Sequence, residues 1–209
     1  MVVTFTAETL PALCDKLAEN DPDLASVLER YGYPPFWARA NNYETLVHII
    51  LEQQVSLASA QATLNKLREK VGAIIPENVI LLTDEEFRAC YFSRQKTAYV
   101  RTLTEKVLAG ELNFLDLAAW TDEAIRQKLV ALKGIGNWTV DVYLILVLHR
   151  ADVFPVGDLA ALNGLKELKG LPKETPREAL LEIAEGWRPY RTIATNIIWH
   201  NYLSLRGRK

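Results

Sequence analysis

Apolar side chains recur along most of this chain at the three-to-four-residue spacing of a helix, with polar residues filling the positions between. Tyr43, Leu46, Val47, Ile50 and Leu51 form one such stripe; Leu103, Val107 and Leu108 form another, ended by the stop signal of Gly110. Start signals agree with the periodicity. Thr83-Asp84-Glu85-Glu86 and Thr175-Pro176-Arg177-Glu178 read as capping boxes, the second with proline at the first helical position, and Asp21-Pro22 is a third start. No set of alternating strands competes. Val79-Ile80-Leu81-Leu82 could make one short strand, but without partners it reads better as a buried helix or a loop. The pattern predicts a mostly α protein of about ten helices. Its breaks, around 31–35, 76, 110–113, 133–136, 153–157 and 170–173, are short, and none resembles a flexible linker.

Composition narrows this picture. With 209 residues, 49% of them hydrophobic, the chain can bury one sizeable core or two small lobes sharing a cleft. It has no apolar run of membrane-spanning length, and Met1-Val2-Val3-Thr4-Phe5-Thr6-Ala7-Glu8 lacks the basic start of a signal peptide, so a cytoplasmic protein with no membrane partner is expected. Cys14 and Cys90 are the only cysteines, which excludes a four-cysteine iron-sulfur cluster or zinc site built from this chain alone; both read as buried apolar residues. The net charge of -2 argues mildly against a nucleic-acid partner. The ends differ, however. Residues 1–31 carry six acids against Lys16 and Arg30, whereas residues 187–209 carry Arg188, Arg191, Arg206, Arg208 and Lys209 and no acid. That basic end is either a solvated tail or a local positive potential open to a polyanion.

Candidate chemistry concentrates between 132 and 158. Thr121 can cap a helix running through Ile125 and Leu129 to about Leu132, and Asn137 can cap the next, through Val140, Tyr143, Leu144, Val147 and Leu148. Between them Gly134 and Gly136 permit positive φ, so that neighbouring N–H groups can converge on an anion at the start of the second helix. An ordinary tight turn between helices would also take glycine, and spacing alone decides nothing. The second helix is apolar almost all round, which predicts a central, buried element with Asp141 facing a polar edge or a partner. Asp158 follows the loop Phe154-Pro155-Val156-Gly157 and is open to two readings, a cap for the helix at Leu159 or a carboxylate that stabilises a developing cation.

Taken together, these residues resemble the helix-hairpin-helix DNA glycosylases, whose signature is such a hairpin followed by a Gly/Pro-rich loop and an aspartate. Leu132-Lys133-Gly134-Ile135-Gly136-Asn137-Trp138-Thr139 is similar to the hairpin, and Asp152-Val153-Phe154-Pro155-Val156-Gly157-Asp158 to the loop. The likeness extends to the helix and turn at Leu46 to Ser56 and to Trp187-Arg188-Pro189-Tyr190-Arg191, covering roughly 30–204. Within that family the chain looks like the branch that removes alkylated bases, the 3-methyladenine DNA glycosylase II group. The resemblance implies an all-α fold of two packed helical lobes with a catalytic cleft between them, 42–150 holding the hairpin at 132–136 and 1–41 plus 151–209 forming the other.

The resemblance also implies roles. Asp158 would stabilise the oxocarbenium-like transition state at the sugar and orient or deprotonate water. Trp138, Tyr190, Trp37 and Tyr143 would line the base pocket, where an electron-poor base gains stacking and cation-π energy; Trp187 is a further aromatic that reads equally as packing. Gly134, Ile135, Gly136, Asn137 and Thr139 would meet DNA, as would Gln53, Gln54 and Ser56. Gln54 falls where the family places the wedge that fills the gap left by a flipped nucleotide, although a polar residue ending a helix explains it nearly as well. Relatives that also cut the strand carry a lysine at the position of Trp138, and tryptophan cannot form a Schiff base, so base release without lyase activity is expected. No cofactor is required on this reading. A structural Na+ or K+ on the backbone of Val130, Leu132 and Ile135 is implied, and the partner is double-stranded DNA containing alkylated bases, met by a monomer. Two other readings compete: a non-catalytic helix-hairpin-helix DNA-binding module, and an α-helical enzyme acting on a small molecule.

Overall fold

The computed structural model describes residues 3–207. Among these the chain forms thirteen α-helices, with one isolated bridge between Thr4 and Arg150 in place of any sheet. No helix is long and apolar enough to cross a membrane. The chain divides into two units, Met1–Ala38 with Leu144–Lys209, and Arg39–Tyr143. The boundaries expected at 41/42 and 150/151 thus fall at 38/39 and 143/144, the second inside a helix.

The unit at 39–143 contains α3 (Tyr43–Glu52), α4 (Leu57–Val71), α5 (Pro76–Val79), α6 (Asp84–Ala89), α7 (Arg94–Leu108), α8 (Phe114–Ala119), α9 (Asp122–Val130) and most of α10 (Asn137–Leu146). Helix α3 is its centre. The stripe read from the sequence is buried, and so are Thr45, Ile49 and Glu52, because α4 packs on one side of α3 and α7 on another. Its two buried polar ends are paired. The Thr104 hydroxyl donates to Val100 O at 2.6 Å and so accepts from Tyr43 Oη at 2.7 Å, and Glu52 receives both nitrogens of the Arg39 fork at 2.7 and 2.9 Å. The capping box at Thr83 forms as read, starting α6. Val79 ends the single turn begun at Pro76, and Ile80 and Leu81 follow as a turn, so no strand forms there.

The other unit contains α1 (Leu10–Ala18), α2 (Pro22–Tyr31), the end of α10, α11 (Leu159–Leu168), α12 (Arg177–Glu185) and α13 (Arg191–Ser204). Helix α13 is buried from Thr192 through Trp199 and is packed by α11, α2 and α1. Gly164 makes the α11 contact close: a Cβ there would stand 2.7 Å from Ile198 Cγ2. Asp21 caps α2 as read, and it is also a hub, accepting from Lys169 Nζ at 2.7 Å and Trp187 Nε1 at 2.9 Å. The second expected capping box does not form. Pro176 occupies the cap position at φ -65°, ψ 154°, and the Thr175 hydroxyl donates instead to Pro172 O at 2.7 Å. Cys14 and Cys90 are both buried free thiols, and burial pushes the Cys14 thiol up to about 12.

Candidate functional site

The hairpin belongs to the unit at 39–143. Thr121 caps α9, its hydroxyl accepting from Ala124 N at 3.3 Å, and the helix ends at Val130 rather than at Leu132. The turn is then closed by Leu132 N to Leu129 O at 3.0 Å and Ile135 N to Leu132 O at 3.1 Å, with both side chains buried as anchors. Gly134 sits at φ 90°, and a Cβ on it would lie 2.0 Å from Cγ of Tyr99, so the ring fills the place of a side chain. Gly136 differs: it has no positive φ, and nothing stands within 4 Å of where its Cβ would be. Its missing side chain leaves open surface at the start of α10 rather than relieving the turn.

The first intrahelical bond of α10 runs from Val140 N to Gly136 O at 3.2 Å. Asn137 is therefore the first helical residue and not the cap, and its side chain accepts from Arg126 Nη1 at 3.0 Å. Arg126 also donates to the buried Asp141 at 2.5 Å, which is the polar partner that Asp141 was expected to find. Gly136 and Asn137 are exposed at the positive end of the α10 dipole, the arrangement that receives an anion. Ile135 and Thr139 are not exposed, at 4% and 1%, so neither side chain is presented to a partner. Thr139 is instead half of a clamp: Gln53 Nε2 donates to Gly134 O at 2.8 Å and to Thr139 Oγ1 at 2.9 Å. Gln53 thus holds the hairpin from within.

The adjoining α3–α4 turn places Gln54 in the left-handed region at φ 58°, with its side chain exposed; Val55 beside it is exposed as well. A non-glycine residue there is uncommon and marks a backbone held by its surroundings. Ser56 caps α4, its hydroxyl accepting from Ser59 N at 3.2 Å. A cavity of about 260 Å³ opens on this turn, lined among others by Gln54, Tyr91, Lys96 and Tyr99. The last three were missed in the sequence. Tyr91 is 65% exposed at φ 69°, and Lys96 donates to Leu51 O at 2.5 Å, burial pushing its ammonium below the usual lysine range. The signal for Tyr91 was present, an aromatic two residues before the Ser93 cap of α7, but its exposure could not be read from periodicity.

Asp158 belongs to the other unit. Val153, Phe154 and Pro155 are buried, and Asp158 N closes the loop on Pro155 O at 2.8 Å. Its carboxylate caps α11, with Oδ1 accepting from Ala161 N at 2.8 Å, and the same oxygen accepts from Trp199 Nε1 at 3.1 Å. Trp37 packs edge-on against Trp199, with centroids 6.2 Å apart. Tyr190 precedes α13, and the Lys16 ammonium lies 4.9 Å above its ring while donating to its hydroxyl at 3.4 Å. A cation therefore already covers one face of that ring. Trp138 is half-buried on the first turn of α10. Tyr143 cannot serve a base pocket in this structure, because its ring is fully buried and its hydroxyl donates to Asn41 Oδ1 at 2.6 Å. Trp187 is packing: it is 4% exposed, and its indole N–H is used by Asp21.

The described arginines of the basic end are already held in ion pairs. Arg188 and Arg191 pair with Asp152 and Glu185, and Arg206 with Glu167; Arg208 and Lys209 lie outside the described residues.

Known proteins resemble this chain in both sequence and fold. The family model for the HhH-GPD superfamily base excision DNA repair protein matches residues 47–189, which span the α3–α4 turn, the hairpin, Asp158 and the segment before α13. DNA-3-methyladenine glycosylase 1 of Schizosaccharomyces pombe is 30% identical over 187 residues, 88% of this chain and 82% of the relative. Among solved structures, the fission yeast 3-methyladenine DNA glycosylase in complex with abasic DNA superposes with a TM-score of 0.82 at 28% identity, covering 90% of this chain and 95% of that one. The DNA-3-methyladenine glycosidase of Bacillus halodurans gives 0.80 at 28% identity, covering 99% and 94%. The chain belongs to the HhH-GPD superfamily of base excision DNA repair proteins.

Proposed function

We propose that this protein is a monofunctional DNA N-glycosylase that flips alkylated bases of the 3-methyladenine type out of duplex DNA and releases them by hydrolysis. The observation that carries the reading is the Asp158 carboxylate, held half-buried at the end of a closed loop by two donors on one oxygen. The relatives named above, which are 3-methyladenine glycosylases, support the substrate class.

In this reading the exposed backbone at Gly136 and Asn137 takes a DNA phosphate, which gives position rather than sequence preference. Gln54 enters the gap left by the flipped nucleotide, and Trp138 stacks on the base. The N-glycosidic bond breaks with its electron pair going to the base nitrogen. An alkylated purine is already cationic, so it leaves neutral and needs no general acid. Asp158 stabilises the positive charge that develops on the sugar; water then adds to the anomeric carbon and gives up a proton, leaving an abasic site and the free base. Trp138 has no amine to attack that carbon, so the strand is not cut.

The carbonyl oxygens of Val130, Leu132 and Ile135 fit a hard monovalent cation such as Na+ or K+. All three are neutral oxygen donors, and Leu132 O spends only one lone pair on Ile135 N. A bound ion would supply local positive charge at the turn, which would favour an anion there.

Incubation with methylated duplex DNA followed by hot alkali tests the proposal by revealing abasic sites. Base release by the wild type, together with an intact strand before alkali, is expected. DNA binding without base release would overturn it in favour of a binding module.

A further inference from the structure

Helix α13 grips the loop that carries Asp158 at both of its ends. At the near end, Thr192 N donates to Ala151 O at 3.0 Å, while the Thr192 hydroxyl accepts from Val153 N at 2.9 Å and donates to Val153 O at 3.1 Å. Arg191 beside it binds the Asp152 carboxylate at 2.8 Å. At the far end Trp199 reaches Asp158 at 3.1 Å. Thr192 and Trp199 are seven residues apart, so they share one face of the helix about 10.5 Å from each other. Two turns of α13 therefore set the span of the loop.

Capping alone does not settle how an aspartate points. Its terminal torsion is soft and roughly two-fold, and either oxygen can serve the cap. A second donor on the same oxygen removes that freedom, and here it comes from an indole that cannot move away. Trp199 is 9% exposed, and its ring is held edge-on by Trp37 at 74°. A buried indole N–H also needs an acceptor, so the two groups fix each other.

We propose that Trp199 is a positioning residue for base release: its N–H selects the Asp158 oxygen committed to the cap and so sets the orientation in which the carboxylate meets the sugar. The inference rests on Asp158 being the group that acts there. It gives Trp37 and Trp199 a task unlike base stacking, since Trp37 braces the indole that aims the carboxylate.

Trp199→Phe keeps an aromatic ring on the Trp37 side, deletes the N–H donor and leaves a small void where the second ring of the indole stood. Under single-turnover conditions the variant should release base roughly 10- to 100-fold more slowly, the scale for a displaced reacting group. KM for methylated DNA should stay near wild type, and the melting temperature should fall by only a few degrees, as the small void requires, with the variant folded at assay temperature. Wild-type release by Trp199→Phe, alongside a dead Asp158→Asn, would overturn this inference and leave Asp158 in place; wild-type release by Asp158→Asn would overturn the assignment beneath it. A second measurement leaves Trp199 intact. The Trp199 indole ¹⁵N–¹H resonance, identified by its absence in Trp199→Phe, should shift in Asp158→Asn, and an unmoved resonance contradicts the bond.

Discussion

The two glycines of the hairpin are alike in sequence and unlike in physics. Gly134 needs both its positive φ and its missing Cβ, because the Tyr99 ring occupies that space. Gly134→Ala should therefore destabilise the fold by about 2–4 kcal/mol, combining left-handed strain with overpacking. Gly136→Ala should change the unfolding free energy by less than about 1 kcal/mol yet weaken DNA binding, because its methyl stands in the open surface that a phosphate would approach. Denaturant melts and a binding titration on the two variants check both statements. The glycines were legible as a turn, but the distinction between them was not, since it depends on Tyr99, 35 residues earlier in the chain. Asp158 was legible in both its readings, whereas its second donor, Trp199, stands 41 residues away and carries no local signal.

Asp21 makes a separate prediction at the same scale. Burial pushes its carboxyl up, but the bonds from Lys169, Trp187 and the Leu24 amide outweigh it and hold the group below the usual carboxylate range. A folded-state value below the unfolded one gives stability that is present above the unfolded value, about 3.9, and lost as pH falls through the folded one. Asp21→Asn should cost about 1–3 kcal/mol at neutral pH. That gap should stay full above about pH 5 and shrink as pH falls below the unfolded value, as followed by urea melts across pH.

Among the elements, the helices followed their stripes and caps closely. Thr83, Thr121 and Asp21 start helices as read. Thr175 does not, because the fixed φ of Pro176 lets proline itself take the cap position and Pro172 O draws the hydroxyl away. What sequence could not show is how one element holds another. Gln53, read as a DNA contact, ends α3 and ties it to both sides of the hairpin turn. Gln53→Ala should cost about 1–2 kcal/mol of stability and weaken DNA binding while leaving its salt dependence unchanged, since no charge is removed. A shallower salt slope in that variant would mean that Gln53 shapes a charged contact after all.

On the scale of the whole molecule, neither unit carries a basic excess: each has 12 basic and 13 acidic residues. Affinity for DNA must then come mainly from backbone amides, shape and stacking. The slope of log affinity against log salt should be shallower than about -5, below that of binders making six to ten phosphate contacts. The division into units left no mark in composition, because its second boundary falls within α10, where apolar residues continue on both sides.

The central claim is that a single carboxylate on a clamped loop releases the base. Asp158→Asn preserves the cap on Ala161 N and removes the charge. Single-turnover release of 3-methyladenine from methylated duplex DNA should fall at least about 100-fold, the scale of lost electrostatic stabilisation at a reacting centre, with folding and DNA affinity retained. Release at the wild-type rate by the folded variant would contradict the account.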